Sequence, residues 1–169
     1  MKKHLLFFAL FLAFFTTKAF SQWPFEGIFP LPDTLRTSTG VQFVAVDPDG
    51  KVWLGPHNTP GDSIFVPDSS KYKKVIPLYV YNADGSIWDT IKAVTIGGTF
   101  YPLYGNGYGL NRALDGNILY CDGSVLYKIN YQTGEGMARV APAMGSLCSP
   151  AVAGNGNVYV APVLPGGPI

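Results

Sequence analysis

Few residue types beyond position 21 could do chemistry. His57 is the single histidine there, and no Gly-x-Ser-x-Gly segment is present, so a serine nucleophile is not predicted. A zinc site needs three or four ligands, which one histidine and two cysteines 27 residues apart do not supply. Asp47 and Asp49 are the closest pair of carboxylates, but they stand in a turn, where Asp commonly bonds its own backbone.

A second candidate segment is the tyrosine- and glycine-rich stretch 104–109, YGNGYG. It lies between predicted strands and opens no helix, so a dinucleotide-binding fingerprint is not predicted. Two interpretations remain open. The stretch is either a flexible entry into the next strand, or a loop whose Tyr104 and Tyr108 stack on a sugar or another flat ligand.

The elements that must position these residues are short β-rich runs separated by Gly, Asp and Asn. Early runs cover residues 41–46, 51–54, 75–81 and 87–96. Residues 57–74 are polar and predict a long loop or an inserted hairpin around 64–66. Nowhere after residue 22 do apolar residues recur with a helical period, so the predicted fold class is all-β.

The pattern of strand, turn and strand repeats along the chain. When the units are aligned on the turn glycines Gly50, Gly116 and Gly156, the spacings are 66 and 40 residues. A period near 40 is typical of propeller blades, and the insertion after residue 56 accounts for most of the longer first spacing. We therefore predict β-propeller blades of four antiparallel strands. Because the third unit stops at Ile169, we expect an incomplete propeller, truncated at its C-terminal side. The alternative is a small β-domain that closes by self-association.

The first 21 residues have the three parts of a secretory signal peptide: a basic start, an apolar run at 5–15 and small residues before a cleavage point after Ser21. The predicted organisation is a signal peptide at 1–21, an extended lead-in at 22–39 and a partial propeller at 40–169. The expected location is secreted, periplasmic or at the cell surface, with no transmembrane segment after cleavage.

Charge argues against a nucleic-acid partner. Residues 1–21 hold three of the twelve Lys and Arg and none of the eleven acids, so the remaining chain has a net charge near −2. Phosphate binding needs a basic patch. An oxidising compartment also permits a disulfide between Cys121 and Cys148, which strand parity places on one side of the ring; two buried thiols are the alternative.

Two segments resemble known propeller families. VAVDPDGKVWLG (44–55) resembles the inner-strand repeat of NHL and gluconolactonase-like propellers, and SVLYKINYQTGE (124–135) resembles the outer hairpin of pyrroloquinoline-quinone repeats. Quinone repeats carry a Trp where this chain has Ala138, so the resemblance does not imply that cofactor. The gluconolactonase likeness implies a divalent ion, with calcium as the candidate, held by Glu26, Asn111 and Asp115.

These observations lead to two functional hypotheses. The first is an exported module that binds a protein or carbohydrate, with the ligand unspecified. The second is a metal-assisted lactonase or hydrolase. A structural surface protein is a third class.

Overall fold

Hairpins joined by short turns make up the chain from residue 40 onward. A computed structural model describes residues 40–56, 62–104 and 107–163, and the all-β prediction is confirmed there, since the sheets are antiparallel and almost no helix is present. The strands are β1 (Val41–Val46), β2 (Val52–Pro56), β3 (Asp62–Val66), β4 (Lys71–Val75), β5 (Leu78–Tyr81), β6 (Ile87–Ile91), β7 (Ala93–Ile96), β8 (Thr99–Pro102), β9 (Gly107–Arg112), β10 (Ile118–Asp122), β11 (Val125–Ile129), β12 (Gly136–Val140), β13 (Ala151–Val152) and β14 (Val158–Tyr159). No helix among the described residues is long and apolar enough to cross a membrane.

Two four-stranded sheets dominate this architecture. The first sheet has the order β1-β2-β5-β6 and the second has the order β9-β10-β11-β12. The hairpin β3–β4 is inserted between β2 and β5, as one of the two interpretations of residues 57–74 predicts. The hairpin β7–β8 links the two sheets, and β13–β14 follows the second. The first strands β1, β9 and β13 lie side by side in that order, since β9 contacts both β1 and β13.

One five-residue turn occurs four times, at residues 47–51, 82–86, 113–117 and 153–157. In each turn the first N–H donates to the fifth carbonyl at 2.8–3.0 Å, and the fourth residue donates back to the first carbonyl at 2.9–3.1 Å. The fourth residue is glycine every time, with φ between +83° and +87°. Other residues rarely adopt this conformation, so the glycine fixes where each hairpin reverses.

The main core lies between the two sheets. In the first sheet Trp53 is fully buried and stands opposite Val80; in the second, Tyr120 stands opposite Leu110. Alternation along each strand puts these side chains on one face, because successive residues point to opposite sides of a sheet. The core cluster comprises Ala45, Trp53, Leu78, Val80, Ile91, Val94, Leu103, Leu110, Ile118, Tyr120, Tyr127 and Ile129.

The structure corrects one predicted strand. Residues 87–96 are not continuous, because β6 ends at Ile91 and β7 begins at Ala93. The bend lets the Lys92 carbonyl accept a hydrogen bond from Leu103 N–H at 3.0 Å, while Val94 and Leu103 enter the core. Strand β8 was not predicted from the sequence. A Gly-Gly pair at the β7–β8 turn was the available signal, since both glycines have positive φ, as in a tight hairpin.

Candidate functional site

A cavity of about 360 Å³ opens where β8 ends beside the β10–β11 turn. Residues from β8, β10, β11 and β12 and their connections contribute to its wall. The lining residues are Tyr101, Pro102, Tyr104, Asp122, Gly123, Ser124, Val125, Tyr127 and Arg139. The volume lies within the ~300–1,000 Å³ typical of ligand pockets, and aromatic walls with a few polar groups are typical of them too. We call this cavity the tyrosine pocket.

Three tyrosines line the pocket to different degrees: Tyr101 and Tyr104 are at least partly exposed, whereas Tyr127 is buried in the core. The rings of Tyr101 and Tyr127 are tilted by 53°, with centroids 6.3 Å apart. Tyr104 follows β8 and is 46% exposed, so its ring is accessible at the mouth. Burial raises the pKa of Tyr127, although a hydrogen bond with Arg139 partly opposes this. The Tyr127 phenol therefore stays protonated at neutral pH and can exchange hydrogen bonds with a ligand.

Arg139 is the cation of the pocket. Strand register places it directly opposite Tyr127 on β12. Its guanidinium carbon lies 5.0 Å from the Tyr101 ring centroid, within cation–π range. The ion pairs among the described residues all join Lys to Asp, and Arg139 forms none of them. The Tyr101 ring thus faces this side chain, and no carboxylate among the residues that the structure describes forms an ion pair with it.

Asp122 is the acidic residue that lines the pocket. It is only 7% exposed, and its carboxylate accepts the Tyr104 N–H at 2.8 Å. The contact joins the end of β10 to the segment that follows β8, which are 18 residues apart in sequence. A bond to a charged acceptor contributes more than a neutral one. Asp122 therefore positions Tyr104 at the mouth of the cavity.

The structure separates the two tyrosines named from the sequence. Tyr104 lines the pocket, whereas Tyr108 does not; it lies half-buried on β9, and its carbonyl accepts a hydrogen bond from Ser149 Oγ at 3.2 Å. Tyr101, Tyr127 and Arg139 were not predicted as site residues. Alternation within β11 and β12 indicates which way each side chain faces, but placing Arg139 opposite Tyr127 also requires the register between the strands.

Two of the three residues implied as metal ligands, Asn111 and Asp115, have other partners. Asn111 donates to the Pro150 carbonyl at 2.8 Å, and Asp115 accepts the Lys128 ammonium at 2.5 Å. The bond from Lys128 lowers the pKa of Asp115. Glu26 lies outside the described residues. Within the described ranges no group of three or more His, Cys, Asp or Glu could hold a metal ion, and the predicted calcium site stays a prediction.

Asp47 has the structural role that its turn position favours. Its Oδ1 accepts the N–H groups of Asp49 at 3.0 Å and Lys51 at 2.9 Å, and its Oδ2 accepts the Trp53 indole at 3.0 Å. The Lys51 ammonium lies 3.2 Å from Asp47 and 3.0 Å from Asp49, over the Trp88 ring. Burial lowers the pKa of Lys51, but hydrogen bonds to Asp49 and Asp47 outweigh it and raise the pKa overall.

The two cysteines lie together as free thiols. Cys121 is buried on β10, and its Sγ lies 3.1 Å from the carbonyl oxygen of Cys148. Burial raises the pKa of Cys121 to about 12. The contact joins the second sheet to the segment that leads into β13.

Comparisons with known proteins leave the family open. No protein-family model matches the chain. No curated protein matches it either. Similar solved structures include a Bacteroides caccae protein of unknown function, at 15% identity and a TM-score of 0.37 over 72% of this chain and 53% of that one. A Kuenenia stuttgartiensis hydrazine synthase is similar at 13% identity and a TM-score of 0.35, over 79% of this chain and 43% of that one. A luciferin-regenerating enzyme is similar at 17% identity and a TM-score of 0.30, over 66% of this chain and 49% of that one.

The chain therefore spans about half the length of these structures, from 43% to 53%. At such TM-scores the likenesses carry no functional argument. Membership of the NHL or gluconolactonase-like group stays a prediction.

Proposed function

We propose that this chain is an exported β-propeller module that binds a ligand in the tyrosine pocket. The blade arrangement is supported by two successive four-stranded antiparallel sheets whose first strands are neighbours, with β13 next to β9. In a propeller the first strand of each blade lines the axis, so adjacent first strands are the expected relation. Each sheet also buries one face against its neighbour, as stacked repeats require.

The tyrosine pocket is the observation that carries the binding role. Its accessible tyrosines, Tyr101 and Tyr104, offer contact area at low conformational cost, since each side chain has few rotatable bonds. Backbone groups of Gly123 and the Ser124 side chain add polar contacts along the wall. The site lies among connections between strands, where binding residues concentrate in rigid scaffolds. A carbohydrate or a protein segment from outside the cell is the class of partner that an exported module meets.

Binding to arrayed glycans and peptides tests this function. Tyr104→Ala removes accessible aromatic area and should weaken any ligand of the pocket by about tenfold or more, as loss of a central aromatic contact does. Tyr72→Ala is the matched control, because Tyr72 is 75% exposed on β4 and does not line the pocket. An equal loss of affinity in both variants would contradict the proposed site. A ligand whose affinity does not change in Tyr104→Ala would contradict it as well.

A further inference from the structure

The chemistry of the tyrosine pocket also indicates which ligand it takes. We propose that it binds a saccharide unit bearing a carboxylate, a hexuronic acid, with Arg139 as the partner of the carboxylate. This inference rests on the proposed binding function and adds the ligand class to it.

Arg139 carries the argument for an anion. The guanidinium has five N–H donors in a fixed fork. The stack on Tyr101 uses the face of the guanidinium, so the N–H donors at its edges remain for a ligand. No acidic side chain among the described residues pairs with it. A guanidinium fork matches a carboxylate in a bidentate manner, which a lysine ammonium cannot do.

The acid of the pocket does not cancel this preference. Asp122, at the end of β10, is only 7% exposed, and its Oδ2 accepts a hydrogen bond from the Tyr104 N–H at 2.8 Å. Asp122 is therefore the more buried of the two charged residues that line the pocket, and its carboxylate already accepts a backbone N–H. Arg139 lies on the outermost strand of the second sheet and is exposed. An entering anion meets the guanidinium at the accessible side of the pocket.

The rest of the wall fits a sugar ring. Tyr101 is partly exposed and presents ring surface against which the C–H face of a pyranose can pack, while the Tyr127 ring beside it, tilted by 53°, belongs to the core. The phenol of Tyr127 and the hydroxyl of Ser124 can pair with ring hydroxyls. At about 360 Å³ the cavity is at the small end of ligand pockets, which suits one sugar unit of a longer glycan. A peptide carboxyl terminus is instead captured by backbone amides in a nest.

Calorimetric titration of the exported chain with galacturonic acid oligomers tests this inference, with galactose oligomers of equal length as the neutral comparison. We expect the uronate oligomers to bind about tenfold or more tightly than the neutral ones. Arg139→Gln should erase that preference, with a loss of about ten- to a hundredfold for the uronate, as for a hydrogen bond to a charged group. Arg139→Lys should restore only part of it. Rising salt should weaken uronate binding and leave neutral binding unchanged.

Arg112→Gln is the matched control, since Arg112 is also an exposed strand arginine but does not line the pocket. Its uronate affinity should equal that of the unchanged protein, and circular dichroism checks that each variant folds. Equal binding of neutral and uronate oligomers, lost in Tyr104→Ala, would overturn the carboxylate inference and leave the binding function standing. Binding of peptide carboxyl termini in place of uronates would also overturn the uronate inference and leave the binding function standing. Absence of binding to both glycans and peptides would overturn both proposals.

Discussion

Replacing Asp47 with alanine takes the acceptor away from four groups in and beside the first turn: the Asp49 N–H, the Lys51 N–H, the Lys51 ammonium and the Trp53 indole. All four lie within 3.2 Å of the carboxylate. Asp47 is 2% exposed and Trp53 is fully buried, so water cannot replace the lost acceptor without a rearrangement. A buried donor left unsatisfied costs the desolvation free energy of that donor.

The loss in the free energy of unfolding depends on which of these hydrogen bonds other groups can replace. In the other three turns the third residue accepts the N–H of the fifth, through Asp84, Asp115 or Asn155. Asp49 is the third residue of the first turn and can take over that bond. It also keeps its ion pair with Lys51. The indole of Trp53 has no such substitute, so a loss of about 3 kcal/mol in the free energy of unfolding is expected for Asp47→Ala.

Urea unfolding measured by circular dichroism checks this value. With an m-value near 2 kcal/mol per M, the midpoint should fall by about 1.5 M. Asp49→Ala is the control: its side chain is 52% exposed, and an exposed ion pair contributes about 1 kcal/mol or less. Trp53→Phe removes the indole donor, so a double-mutant cycle with Asp47→Ala should give a coupling of about 1–2 kcal/mol. A coupling near zero, or equal losses for Asp47→Ala and Asp49→Ala, would refute this account of the turn.

Three further predictions concern the remaining contacts and the leader. Gly109→Ala should strongly destabilise the protein in thermal melts, because an added Cβ would lie 2.2 Å from the Ser149 Cα; an unchanged melting temperature would show that β13 does not need this close approach. Native alkylation near pH 8 should modify Cys148 well before Cys121, since a thiol with a pKa of about 12 holds little reactive thiolate, and mass measurement of the products decides. A protein resistant to alkylation at both sites until reduced would instead carry the disulfide. Exported protein should begin immediately after Ser21, and N-terminal sequencing that finds the leader retained would contradict the signal peptide.

The repeated hairpins were predictable because their signals are local. A Gly after Asp or Asn, placed between alternating apolar residues, sets both the turn and its position. The turns at 47–51, 82–86, 113–117 and 153–157 all follow this rule. The face of each strand then follows from alternation alone, which is why the all-β class could be derived without any long-range information.

The pocket was harder to derive because its parts come from separate hairpins. Tyr104 stood out by its glycine-rich surroundings, but Tyr101 belongs to β8, which the sequence analysis did not assign. Arg139 reaches the pocket only through the β11–β12 register, in which it stands opposite Tyr127 despite an irregularity between Lys128 and Ile129. Such a bulge shifts pairing by one residue and moves side chains between faces. Register of this kind is a property of the folded sheet.

The backbone around the pocket explains why the site needs little ordering on binding. Leu103 is fully buried. Its N–H donates to the Lys92 carbonyl at 3.0 Å, and its own carbonyl accepts a hydrogen bond from the Ile76 N–H at 2.9 Å. Tyr104, the next residue, is tied to the Asp122 carboxylate. The segment after β8 is thus tied to the connections that precede β5 and follow β6, and to β10 of the second sheet, next to its exposed ring. A ligand then meets a tyrosine whose backbone is already in place, so less of the interaction free energy is lost to ordering the site. The contacts that tie down this segment therefore also prepare the pocket.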